Sequence, residues 1–65
     1  MTRGEIIIEA LTKVTHQLGF AGDDLRVALN KANGVEAIII LDLIKHVSDT
    51  HNAADRLINA MTGEE

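Results

Sequence analysis

What reactive chemistry this chain could carry rests on its histidines and the acids near them. Asp42, His46 and Asp49 stand at i, i+4 and i+7. On a helix that spacing puts two carboxylates and an imidazole on one face, where they could share a metal ion. A stable site needs three or four converging ligands, so the competing reading is a solvated face with one helical Asp–His pair. His51 sits within an apolar stripe, one turn before Asp55. It could hydrogen-bond Asp55, set the register of paired helices, or charge a seam when protonated at mildly acidic pH. His16 faces outward. Ser48 has no strained turn around it, and cysteine is absent. The five glycines fall where elements are expected to end, not in a phosphate-cradling loop. The expectation is a non-enzymatic protein with no catalytic residue, no cofactor and no metal.

Composition narrows the partners. Ten acids against six bases give a net charge of −4, and the bases are scattered. A phosphate-binding face is clustered and positive. Phe20 is the only aromatic residue, too few for a stacking platform on single strands. A helix-turn-helix would need a basic recognition helix, whereas Arg26 and Lys31 are offset by Asp23 and Asp24. No nucleic acid is expected as a partner. No apolar run approaches a membrane span, and Glu5 and Glu9 interrupt any leader-like segment. A cytoplasmic protein with no membrane partner is the expectation.

The elements that position these residues read as helices. Thr2 and Glu5 form a capping box, with Met1 and Ile6 as its hydrophobic staple. Ile7, Leu11, Val14 and Leu18 follow at 4-3-4 spacing, and Gly19 is a natural left-handed stop. Phe20 then plugs the core. Asp23 and Asp24 suit the start of a second helix, whose inner face is Leu25, Ala28, Leu29 and Ala32. Asn33 and Gly34 end it, and Asn33 with Glu36 can cap the next.

The last segment is the strongest signal. Ala37, Ile40, Ile44, Val47, His51, Ala54, Ile58 and Met61 keep an unbroken alternation of three and four. Ser48, Asp49, Thr50, His51 and Asn52 are poor helix formers, yet the stripe passes them without a change of phase. Near 37–44 the segment is apolar all round, which demands cover on every side. The expected fold is all-α, one domain over 1–65: a compact three-helix unit with helices at about 2–18, 23–33 and 35–62. The third helix should protrude, because a short first helix covers only half of it.

An uncovered stripe asks for a partner. Val47, His51, Ala54, Leu57, Ile58 and Met61 are the expected interaction residues, pairing with a second copy as a helical-bundle homodimer. The role would be regulatory or accessory. The alternative is a monomeric adaptor or inhibitor that lays the same helix into a groove on another protein.

Leu18, Gly19 and Phe20, followed by Ala28 and Leu29, resemble the ubiquitin-associated fold, which carries a hydrophobic-Gly-aromatic loop after its first helix. Ala32, Asn33, Gly34 and Glu36 are similar to the second turn of the related N-terminal domain of elongation factor Ts. The resemblance covers about half of the chain, over 7–43. It implies a three-helix fold and a secondary protein-binding patch at Leu18, Gly19 and Phe20. The chain departs from the pattern where Asp42 replaces a closing leucine and where the third helix runs on far past the family's end.

Overall fold

The computed structural model describes residues 2–63, and among them there are two helices: α1 (Arg3–Lys31) and α2 (Val35–Thr62). They pack as an antiparallel hairpin of 47 × 19 × 14 Å. The all-α expectation holds, and the last helix has the expected bounds. The three-helix unit does not form, because the first two expected helices are one.

α1 begins as the sequence indicates. The Glu5 N–H donates to Thr2 Oγ1 at 3.2 Å, and the Thr2 hydroxyl reaches Glu5 Oε1 at 3.1 Å. Met1, and with it the staple, lies outside the described residues. The helix then continues through Gly19, Phe20, Ala21 and Gly22 without a stop. Among the described residues positive φ is found only at Gly34 and Gly63. The reason lies in phase. Leu11, Thr15, Leu18, Gly22, Leu25 and Leu29 keep the same four-and-three alternation as α2, so a straight helix lays all of them against it. A glycine inside a helix costs about 1 kcal/mol, and an unbroken row of apolar contacts outweighs two of them. Gly22 faces α2 without needing to be glycine, since a Cβ placed there would lie 3.9 Å from Val47 Cγ1, an ordinary van der Waals contact.

The 29 residues of α1 match the 28 of α2. The stripe of α2 is therefore covered along its length by the chain's own first helix, and α2 does not protrude. Phe20, expected as a core plug, points away from α2 and is 70% exposed.

The connection is short. Ala32 N–H donates to the Leu29 carbonyl at 3.2 Å, and Asn33 N–H to Glu36 Oε1 at 3.4 Å. Glu36 thus performs its half of the expected box, although Gly34 occupies the N-cap position. Gly34 adopts φ 56 and ψ −122, a conformation open to glycine and strained for other residues. Gly63 closes α2 in the left-handed conformation.

Two helices make a thin core. Only Thr15, Gly22 and Ala54 are buried among the described residues. The Thr15 hydroxyl is satisfied within its own helix, donating to the Thr12 carbonyl at 2.8 Å. The radius of gyration is 14.8 Å, against about 11 Å for a compact domain of this length.

Candidate interaction surface

The polar constellation on α2 does not converge. His46 Nδ1 lies 3.5 Å from Asp42 Oδ2 and 2.8 Å from the Asp42 backbone carbonyl. A carbonyl can only accept, so Nδ1 carries the proton and is closed to a metal. Among the described residues no group of three or more potential ligands could hold an ion. His51 Nδ1 stands 3.4 Å from Asp55 Oδ2, the neighbour the spacing suggested. Both pairs are solvated, and such pairs contribute little to stability.

The six residues expected to mediate interaction separate into two groups. Ala54 is buried, while Val47, His51, Ile58 and Met61 are half-buried on the side of α2 that meets α1. Leu57 is 48% exposed. Of the secondary patch, Leu18 is half-buried within the hairpin and Gly19 and Phe20 are exposed along α1. The loop that carries this patch in the ubiquitin-associated fold is absent here, because these residues are helical.

Pairing of α1 with α2 creates two long sides of opposite character. Residues seven apart stay on one edge of a coiled helix. On α1 one such edge is Ile7, Val14, Ala21 and Ala28; on α2 one is Glu36, Leu43, Thr50 and Leu57. A shallow groove lined by Ala28, Lys31, Ala32, Glu36, Ile39 and Ile40 shows that these two edges border the same side of the hairpin. Ile39 is 56% exposed and Leu43 46% exposed there. At its loop end this side carries Glu36 and Lys31, which line the groove together; the edge rows beyond Glu36 carry no charge.

The other side is polar. A cleft of about 150 Å³ is lined by Gly19, Gly22, Arg26, Ser48 and His51, over the helix junction at Leu18 and Val47. Arg26 is held by Asp23 at 3.5 Å. Water solvates this side well, so its exposure needs no partner.

The apolar side escapes a search for a single stripe, because it combines a second seven-residue repeat on α1 with only Leu43 and Leu57 of the matching row on α2. Its signal is present in the letters: Ile7, Val14, Ala21 and Ala28 are all apolar at a spacing of seven. Two further exposed groups lie elsewhere. Val35, Ile38 and Leu41 project from the first turns of α2, and Ile6 and Val27 from the outer surface of α1.

Comparison with protein-family models, with curated proteins and with solved structures finds no match to this chain. No helix of the described residues is long and apolar enough to cross a membrane.

Proposed function

We propose that this chain is a non-enzymatic protein-interaction module that self-associates through the apolar side of its hairpin, in a regulatory or accessory role. The supporting observation is one of area. The hairpin exposes 4996 Å². A compact monomer of its 7.0 kDa mass exposes roughly 4,000 Å². The excess, about 1,000 Å², matches the roughly 800 Å² that each partner contributes to a standard interface. The residues placed to contribute it are Ile7, Val14, Ala21, Ala28, Ile39, Leu43 and Leu57. Two hairpins laid side to side give a four-helix bundle with the core that one hairpin lacks.

This reading relocates the self-association expected from the sequence. The stripe of α2 serves the hairpin, and the neighbouring repeat serves the second copy. Leu57 belongs to both descriptions. Sedimentation equilibrium over a range of concentrations tests it. Wild-type protein should sediment at twice the 7.0 kDa chain mass, and Leu43→Asp should weaken the association at least tenfold. A wild-type chain that stays monomeric at high concentration overturns the proposal. Ile58→Asp is a poorer probe, because Ile58 also packs within the hairpin.

A second reading, docking onto a different protein, is favoured by Val35, Ile38 and Leu41. They are exposed behind the apolar side, where a second copy on that side leaves them uncovered.

A further inference from the structure

We propose that Asn33 is a site of self-modification, where the chain converts its own asparagine through a cyclic imide to aspartate and isoaspartate. The inference does not rest on self-association, since it concerns the loop and not the apolar side.

The main-chain nitrogen that follows an asparagine can attack that residue's side-chain amide, and a glycine there leaves the approach uncrowded. Of the four asparagines, Asn33 alone precedes a glycine; Asn30 precedes Lys31, and Asn52 and Asn59 precede alanines. The fold adds three conditions. Asn33 and Gly34 are both exposed and lie between α1 and α2, in neither helix. The space around Gly34 is open, with nothing within 4 Å of where a Cβ would stand. Among the described residues no hydrogen bond takes up the Gly34 N–H, whereas those of Ala32, Asn33 and Glu36 are engaged. The other three asparagines sit inside helices, where the following N–H is held in the i to i−4 ladder.

The reaction balances with water as its only co-reactant. The Gly34 nitrogen gives up its proton and bonds to Cγ of Asn33. The Cγ–Nδ2 bond breaks, and the amide nitrogen leaves as ammonia with that proton. Water then opens the cyclic imide. Attack at Cγ breaks the new bond and returns an ordinary main chain with aspartate at position 33. Attack at the main-chain carbonyl carbon breaks the old peptide bond instead, so the chain runs on through Cγ and is one carbon longer. The two products differ in what they do to the turn. Aspartate keeps the Asn33 N–H bond to Glu36 and the Glu36 N–H bond to the position-33 carbonyl at 3.2 Å. It also sets a carboxylate before the N-terminus of α2, which has no side-chain cap. Isoaspartate turns that accepting carbonyl into a free carboxylate. It also lengthens a connection of only Ala32, Asn33 and Gly34, so the turn must be rebuilt.

Cleavage after lysine and arginine puts the four asparagines on four peptides, 27–31, 32–45, 46–56 and 57–65, so mass spectrometry reads each separately. The intact chain is held in mildly alkaline buffer, which favours loss of the Gly34 proton, and sampled over days. Peptide 32–45 should gain the mass of –OH in place of –NH2, chiefly as isoaspartate, at least about tenfold faster than the other three. Folding should slow Asn33 by less than about tenfold relative to the guanidinium-unfolded chain, because no contact has to open first. A smaller lead over the other asparagines, or a greater slowing on folding, overturns the proposal. Urea unfolding then separates the products. Asn33→Asp should unfold at the wild-type midpoint or above it, and the isolated isoaspartate form below it. An isoaspartate form as stable as Asn33→Asp overturns the consequence drawn for the turn.

Discussion

Replacing Gly19 by alanine decides between a continuous first helix and a chain that turns at this point. In the hairpin Gly19 sits inside α1 with ordinary helical backbone, since positive φ is confined to Gly34 and Gly63. A Cβ built there meets nothing within 4 Å. Alanine therefore enters without steric cost, improves helix propensity and reduces the freedom of the unfolded chain. The sum is about 1 kcal/mol of added stability. For a chain of this size that raises the melting temperature by roughly 4–8 °C. If Gly19 instead closed a short helix in the left-handed conformation, the same methyl group would be strained. The loss would be roughly 1–2 kcal/mol and the melting temperature would fall. The assay is thermal unfolding followed by circular dichroism at 222 nm. Both proteins must be at one concentration, because the proposed self-association would make the midpoint concentration-dependent. A lowered midpoint for Gly19→Ala refutes the continuous helix.

The other glycines and polar residues provide companion tests. Gly34→Ala should do the opposite of Gly19→Ala, losing about 1–3 kcal/mol, because Gly34 has φ 56; an unchanged urea midpoint would show that the loop conformation is wrong. Gly22→Ala should gain about 1 kcal/mol, as its Cβ would meet Arg26 Nη1 at 3.7 Å and Val47 Cγ1 at 3.9 Å, both ordinary contacts; a large loss would mean the helices are closer than described. Thr15→Val should change stability by less than about 1 kcal/mol, since the buried hydroxyl bonds only its own helix. Thr2→Ala should cost about 1 kcal/mol of cap stabilisation, read as earlier exchange of the first amides of α1.

Much of the fold was legible in local signals, and the errors share one cause. Thr2 with Glu5 marked the start of α1, and the alternation from Ala37 to Met61 marked α2 as a single helix despite the weak formers around Ser48. That second judgement rested on phase: a real break shifts the stripe, and this one did not shift. The same test applied to Leu11, Thr15, Leu18, Gly22, Leu25 and Leu29 also finds no shift. Threonine and glycine at two of those positions disguise the row, because neither counts as apolar in a pattern search. Thr15 hides its hydroxyl against its own backbone, and Gly22 is buried against α2 with no side chain to register as apolar. Gly19 and Gly22 then invite a boundary that tertiary packing overrides.

The candidate surface was harder to read for a reason that lies one level up. An apolar stripe on a long helix must be covered, and that physical demand was correct; the error was to assign the cover to a second copy or another protein, because a short first helix was expected. Once α1 is continuous, the cover comes from within the chain, and Val47, Ala54, Ile58 and Met61 are absorbed by it. The demand then passes to the residues that the hairpin itself leaves open. Ile7, Val14, Ala21 and Ala28 on one helix become adjacent to Leu43, Thr50 and Leu57 on the other only after the direction of pairing is known, because a parallel pairing would have set them on opposite sides. A single helix shows two candidate edges. The groove bordered by Ala28, Lys31, Glu36 and Ile39 selects one pair of edges, and in doing so gathers scattered aliphatic residues into one strip whose charges lie at the loop end. An Ala28→Asp substitution follows from this: in an isolated hairpin an exposed alanine is replaced at a cost of at most about 0.7 kcal/mol in helix propensity, whereas the proposed pairing would bury the carboxylate at the interface. Dimer dissociation by Ala28→Asp with helicity retained in the monomer is the expected result, and an Ala28→Asp dimer as tight as wild type would exclude this side as the interface.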